Sequence, residues 1–263
     1  MAKTGPPLLE FKDVTVLRRG RRALDRLTLR IGTHENVAIL GPNGSGKSTF
    51  VKLLTREVYP AATEEGTRLR ILGRDRWELL SLRRRLGIVT TDLQADFTRA
   101  ISAWETVISG FFGAYGLFLN HRPTAAQDRK VRQVFRRLEI APLLERPMCE
   151  LSTGEARRVM IARALVHGPG TLLLDEPTNS LDLRAHRDFR AAMRRLARGG
   201  TRLLLVTHAL EDLVPEIGRV VLLREGRVFR DGPAARVLTD AHLSELYRMP
   251  LRVRREHGFW RVS

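Results

Sequence analysis

The stretch Gly41-Pro42-Asn43-Gly44-Ser45-Gly46-Lys47-Ser48-Thr49 carries the strongest chemistry in the chain. It fits the pattern G-x-x-x-x-G-K-[S/T], in which each residue type has a physical reason. Glycines let successive backbone N–H groups turn inward around phosphate oxygens, and a helix starting at the end of the loop adds its positive dipole. A lysine here reaches the β and γ phosphates of a nucleotide, and the next hydroxyl joins a Mg2+ shell. These roles fall to Lys47 and Ser48. A dinucleotide fingerprint would also use the glycines but leaves the Lys47-Ser48 pair unexplained. Two adjacent carboxylates, Asp175 and Glu176, end the apolar run that starts at Thr171. A strand delivering them would set Asp175 to hold Mg2+ through its water shell and Glu176 to polarise an attacking water. Ser152, in Leu151-Ser-Thr-Gly-Glu155, reads as a helix N-cap, and Ser180-Leu181-Asp182 and His208 follow further along.

These residues need elements to position them. Leu9, Phe11, Val14 and Val16, then Leu24, Leu27, Leu29 and Ile31, form two alternating runs around a turn centred on Gly20. Antiparallel strands with one wet face are expected there. The run from Asn36 to Leu40 is apolar without alternation, as a central parallel strand buried on both faces would be. Helical spacing resumes over 48–56 with Phe50, Leu53 and Leu54, and further apolar runs end at Asp175-Glu176 and at Thr207-His208. Such runs separated by helical patterns predict an α/β sheet with polar groups gathered at the strand ends. The segment from about Thr98 to Cys149 differs. Val131, Val134, Phe135 and Leu138 make one apolar helix stripe flanked by Arg129, Lys130, Arg132, Arg136 and Arg137, so a helical subdomain with a solvated basic face is expected.

Composition bounds the rest. The chain has 263 residues, 43% hydrophobic and 29% charged, which excludes disordered and fibrous classes. The single cysteine, Cys149, excludes an internal disulfide and fits a reducing compartment. No apolar run approaches the roughly 18 to 20 residues that cross a bilayer, and Met1–Pro7 lacks the apolar core of a signal peptide. The net charge of +17 points toward nucleic acid or anionic lipid. However, 41 of the 46 basic residues are arginines, which biased codon usage in a GC-rich genome would also produce, and the surplus is spread along the chain.

Taken in order, these motifs resemble the nucleotide-binding domain of an ABC ATPase over roughly residues 8–240. Residues 41–49 match its Walker A motif, and 151–155 match the ABC signature in an LSTGE form rather than LSGGQ. Residues 171–176 match Walker B, 180–182 the D-loop, and His208 the switch histidine. The resemblance implies an α/β fold: a P-loop NTPase core over residues 1–240 with an antiparallel β subdomain and a helical subdomain inserted at about 92–150; beyond it, residues 241–263 read as a basic, aromatic tail. It implies ATP and Mg2+ as cofactors and Glu176, His208 and Lys47 as catalytic residues. Gly41 through Thr49, with Ser152 and Gly154, would contact nucleotide, and Ser48, Asp175 and Gln94 would serve the metal. Two departures stand out. The aromatic that stacks on adenine is missing near residues 16–20, so Arg19 or Arg18 is nominated to stack on the base. The Q-loop glutamine is expected near Thr91, where the nearest candidate is Gln94; either it serves with a shifted loop or the contact is lost. With LSTGE and the stretch Ala103–Leu119, these features resemble the molybdate-type ATP-binding subgroup.

One chain of this family holds half of each working site. Ser152 and Gly154 of one protomer would close on ATP held by the other, so a homodimer or a pair with a related chain is expected. The resemblance implies that the dimer powers a separate membrane permease from the cytoplasmic face. Trp104, Phe111, Phe112, Tyr115 and Phe118 lie near where such permeases dock. A soluble ATPase acting on nucleic acid or ribosomes is the alternative; it gains from the arginines but loses because such proteins usually carry two ATPase domains in one chain.

Overall fold

The spacing Phe11–Val14 and Leu24–Leu27 breaks strict alternation, and the break has a structural cause. In the computed structural model, which describes residues 5–61, 66–90, 100–114 and 116–263, strands Leu9–Arg18 and Arg21–Ile31 pair antiparallel with register shifts after Phe11, Val14 and Val16. Asp13 and Arg26 take positive φ angles of 51° and 47°. Their N–H groups donate to the hydroxyls of Thr28 (3.0 Å) and Thr15 (3.1 Å). The extra residue is absorbed as a bulge, and all eight apolar side chains of the two runs stay buried. The expected turn is present: Arg19 (φ 49°) and Gly20 (φ 75°) join Arg18 to Arg21, the double positive φ of a two-residue hairpin. Strand Arg68–Ile71 completes this sheet on the other edge of Leu9–Arg18.

By contacts the chain divides into two units, Met1–Leu79 with Arg202–Ser263, and Leu80–Thr201. In the first, Val37–Leu40 lies between Arg202–Thr207 and Arg219–Arg224, parallel to both, and Arg227–Pro233 returns antiparallel on the far side. Paired on both edges, Val37–Leu40 is buried at every position, as its unbroken apolar run predicts. Asn36 ties the strand entrances together: its amide donates to the Glu216 carbonyl (3.1 Å) and accepts from the Leu203 N–H (2.9 Å). Helix Lys47–Leu54 follows the central strand and buries Phe50, Val51, Leu53 and Leu54, with Phe50 tilted against Phe11 at 5.8 Å between ring centroids.

The basic, aromatic terminus folds onto this same unit. Helix Asp240–Tyr247 is capped by Thr239, and strands Val253–Glu256 and Phe259–Val262 form a hairpin. The second strand packs on the turn Leu210–Asp212 and buries Trp260, while Arg254, Arg255 and Arg261 stay exposed.

In the second unit, Leu86–Val89 and Thr171–Asp175 pair in parallel. Helix Thr153–Leu165 packs so tightly behind them that a Cβ on Gly87 would come within 2.9 Å of the Ala164 carbonyl. Helix Ala125–Arg137 opens with a Thr124–Gln127 capping box and buries Val131 and Phe135, the stripe expected from spacing. Its basic flank is largely solvated, though Arg132 pairs with Asp128 and Arg137 donates to Thr201 (2.8 Å). Of the aromatic cluster, Trp104, Phe111 and Phe112 are half-buried and Phe118 is exposed; Tyr115 lies outside the described residues. Among the described residues no helix is long and apolar enough to cross a membrane.

One buried carboxylate pins the first unit. Arg227 donates to Asp25 from Nε (2.9 Å) and Nη2 (2.5 Å), and the Asp25 N–H bonds the Gly226 carbonyl (3.0 Å). The Arg227 hydrogen bonds hold the Asp25 carboxyl below the usual range against the upward push of desolvation, and the charges of Arg227, Arg22 and Arg26 add to the effect. A lowered folded pKa contributes stability that is present above the unfolded value, about 4, and is lost as pH falls from there through the folded value. Asp25→Asn is therefore expected to lower Tm at pH 7 and to flatten the fall of Tm between about pH 5 and 3. Thermal unfolding across that range checks this, and an acid limb as steep as in the wild type contradicts it.

Candidate functional site

The phosphate loop is set by close backbone approaches. Gly44 and Gly46 take φ of 80° and 106°, a region that costs any residue with a Cβ. A Cβ on Gly41 would strike the Leu223 carbonyl and sit 2.6 Å from the Ser45 hydroxyl. One on Gly46 would lie 2.8 Å from the Ala23 carbonyl. Gly226, at φ 76°, donates its N–H to the Ser45 carbonyl (2.9 Å) and also meets Ala23 and Leu24. The loop is thus held from beneath by the Glu225-Gly226 turn and from the side by the second strand of the hairpin that carries Arg18 and Arg19. Both arginines are exposed at the hairpin tip.

Lys47 is 6% exposed, and its ammonium donates to the Gly41 (2.7 Å) and Pro42 (3.1 Å) carbonyls, folding back over the loop. Asn43, Gly44 and Ser48 are exposed, whereas Thr49 and Ser45 are buried. The Ser45 hydroxyl is shielded and has no hydrogen-bond partner within the protein. A polar atom left so inside a ring of glycines suits an anion's oxygen, since an unmet buried hydroxyl is costly.

His208 belongs to the same unit. Parallel pairing sets Thr207 opposite Leu40, so His208 leaves its strand level with Gly41, the first residue of the loop. The histidine is exposed, but its backbone is fastened on both sides. The buried Thr207 hydroxyl donates to Asp212 (2.5 Å) and accepts from the Ala209 N–H (3.1 Å), and the Tyr247 phenol donates to the His208 carbonyl (2.9 Å).

The second unit carries the other residues. Strand Thr171–Asp175 buries its three leucines and delivers a half-buried Asp175 and Glu176 at its end, as expected. Glu176 adopts φ 45°, and its carbonyl accepts from the Asn179 N–H (3.3 Å). Ser152 caps helix Thr153–Leu165 in a capping box: its hydroxyl accepts from the Glu155 N–H, and Glu155 Oε2 accepts from the Ser152 N–H and hydroxyl, both at 2.9 Å. Desolvation pulls the Glu155 pKa up, but these bonds, with Arg146 and Arg158 nearby, hold it below its usual value. Gly154 packs on helix Leu183–Arg198, where a Cβ would come within 2.7 Å of Ala185. Asp182 caps that helix by accepting from the Ala185 N–H (2.7 Å). Ser152, Gly154, Glu155, Arg158, Asp182 and Ala185 line an open hollow of about 290 Å3. Gln94 and Thr91 lie outside the described residues.

Sequence reasoning passed over Thr207, Asp212, Tyr247 and Gly226, which fasten the histidine and the loop. A buried threonine five residues before an aspartate carries no motif; only the fold brings them together.

A family model described as ABC transporter matches residues 24–179. The cobalt import ATP-binding protein CbiO of Rhodobacter capsulatus is 38% identical over 221 residues, 84% of this chain and 76% of that protein. The hemin import ATP-binding protein HmuV of Nitrobacter winogradskyi is 31% identical over 249 residues, 92% and 88% of the two chains. The structure of cbiO1 from Clostridium perfringens, part of the ABC transporter complex cbiONQ, superposes with a TM-score of 0.75 at 26% identity, covering 91% and 94%. The dimeric ATP-binding cassette MJ0796, in a post-hydrolysis state with ADP and Pi, gives 0.68 at 25%, covering 86% and 98%. The chain belongs to the ABC transporter family as one of its ATP-binding proteins, an ATPase coupled to transport. The α/β P-loop fold expected from the sequence is the fold found.

Thr207→Val keeps shape and removes the hydroxyl between Asp212 and Ala209. A hydrogen bond to a buried carboxylate is worth about 2 kcal/mol, so the variant is expected to lose about that much stability by denaturant unfolding. Because the lost bond also orients His208, ATP turnover should fall more than ATP affinity. Unchanged stability would mean that the Thr207–Asp212 bond contributes nothing.

Proposed function

We propose that two copies of this chain, or one copy and a related chain, close around ATP and Mg2+ and that hydrolysis reopens them, driving a separate membrane permease from the cytoplasmic face. The observation that carries this reading is the phosphate loop itself: glycines at positive φ, a lysine over the loop, an orphaned buried hydroxyl at Ser45, and His208 leaving its strand level with Gly41. Gly41 through Thr49 would cradle the phosphates, Lys47 would bind the β and γ phosphates, and Arg19 would stack on the base. Glu176 would orient and polarise the attacking water, and His208 would hold the γ-phosphate. Ser152 and Gly154, at the N-terminus of a 13-residue helix opening on a solvent-facing hollow, would meet the γ-phosphate held by the partner chain, where the helix dipole favours an anion.

The donor set suits the metal. Ser48 offers a hydroxyl and Asp175 a carboxylate, hard oxygen ligands of the kind Mg2+ takes, with Gln94 proposed as a third. When bound, Mg2+ would neutralise charge on the β and γ phosphates. The domain reading belongs to the same proposal: one ABC ATPase domain over residues 1–240, a helical subdomain inserted at about 92–150, and a terminal segment 241–263.

The named relatives support import as the direction of transport. The molybdate-type subgroup rests only on sequence features, namely the LSTGE signature, Ala103–Leu119, the missing adenine-stacking aromatic and the displaced Q-loop glutamine; the relatives reported above are named for cobalt and hemin. The nucleic-acid alternative is not favoured: these relatives are named as import ATP-binding proteins, and the basic terminus is folded onto its own unit, with Trp260 buried.

Two variants test the site. Glu176→Gln should keep ATP affinity, lower hydrolysis by at least about 100-fold, the scale of a general base, and accumulate an ATP-bound dimer by size-exclusion chromatography. Hydrolysis at the wild-type rate would remove Glu176 from this role. Ser152→Ala should abolish turnover while leaving ATP binding to the monomer intact. If monomeric binding falls in step with turnover, Ser152 is not acting across an interface.

A further inference from the structure

Arg157 lies one turn into helix Thr153–Leu165 and is 3% exposed. Arginine is rarely buried so deeply without a carboxylate. Here the guanidinium instead forks onto two main-chain carbonyls: Nη1 donates to Glu176 (3.2 Å) and Nη2 to Asn179 (3.2 Å). Its Nε is shielded and makes no hydrogen bond. Burial pushes the guanidinium pKa down from its ordinary value, which is high enough for the group to stay charged at neutral pH.

The two carbonyls are the ends of one turn. The Asn179 N–H already bonds the Glu176 carbonyl, and the segment enters at Glu176 with φ 45° and leaves at Ser180 with φ 65°. Two left-handed non-glycine residues this close persist only where surrounding structure holds them. The fork does so, and its planar geometry fits the paired acceptors as a single ammonium would not. An apolar side chain of the same volume would fill this space without burying a charge, so packing alone does not account for an arginine here.

We infer that Arg157 is a positioning residue for Glu176, joining the signature helix and the Glu176–Asn179 turn so that contact at Ser152 is felt at the Glu176 carboxylate. This rests on the function proposed above, in which Ser152 meets the nucleotide of the partner chain while Glu176 serves its own. Arg157 then links the two nucleotide sites of the dimer through one chain: closure over one ATP sets the water-activating carboxylate at the other. It is a two-ended mechanical element that both sites can bias.

The test uses the full chain with Arg157→Met, which keeps the volume and removes the donors, and Arg157→Lys, which restores one point donor. Wild type and Glu176→Gln are run in parallel. Monomeric affinity is read with a fluorescent ATP analogue, stability by thermal unfolding, and kcat, KM and Hill coefficient by phosphate release. Arg157→Met should bind ATP and unfold as the wild type does, with KM unchanged and kcat reduced at least about tenfold, as expected for a misplaced catalytic group. Its Hill coefficient should fall to one, and Arg157→Lys should recover part of both kcat and cooperativity. Wild-type kcat and Hill coefficient in Arg157→Met would overturn the inference, as would equal losses of kcat and Tm in both variants, which mark a purely structural role. If Arg157→Met does not fold, Arg157→Lys decides: lowered kcat at unchanged KM and Tm supports the link, and wild-type kinetics refute it. Should Glu176→Gln itself hydrolyse normally, the assignment of Glu176 fails; a dead Glu176→Gln beside a normal Arg157→Met removes Arg157 alone.

Discussion

The absence of Cβ atoms at three glycines sets the distance on which the rest of the first unit depends. Gly41, Gly46 and Gly226 each bring backbone within contact of another backbone, at Leu223, at Ala23 and at Ala23–Leu24. These approaches lock the phosphate loop to the end of one hairpin and the turn of another. They also fix the loop's amides before any anion arrives, so binding phosphate costs little ordering of the loop. Asp25, bonded to Arg227 and to the Gly226 carbonyl, adds an electrostatic clasp at the same junction.

The second unit uses polar groups differently. Ser152 and Glu155 satisfy one another at the start of the signature helix, and Asp182 does the same for the next helix, so both N-termini are preorganised without a ligand. Gly154 lets these helices approach at the level of Ala185, and Arg157 ties the first of them to the turn after Asp175. Glu155 keeps its negative charge while bonded to the Ser152 hydroxyl. In the proposed dimer, a phosphate arriving at Ser152 would compete with that carboxylate for the hydroxyl.

Charge acts at a longer range. At +17 per chain, two copies repel one another in the absence of anions. In the proposed dimer, ATP brought between the chains would supply negative charge at the N-terminus of the signature helix, and added salt would screen the remaining repulsion within about 10 Å. The arginine excess therefore bears on association more than on fold, and the terminus that gathers several of these arginines is anchored through Trp260 on the turn that follows His208.

The sequence by itself determined the elements and the chemistry at their ends. The G-x-x-x-x-G-K-S run, the apolar strand ending in Asp175-Glu176 and the capping Ser152 each depend on residues within about a dozen positions, and local spacing is enough to read them. The bulges at Asp13 and Arg26, by contrast, interrupt runs read from the sequence as alternating. Tertiary structure alone decided how those ends are held. Thr207 with Asp212, Tyr247 on the His208 carbonyl, Gly226 under Ser45 and Arg157 on the Glu176 turn are meetings between segments up to 181 residues apart. Three of these four meetings end on a backbone carbonyl, which every residue possesses, so no side-chain pattern could announce them. A lone arginine in a basic helix looks like any solvated charge until the chain folds and removes the water from around it.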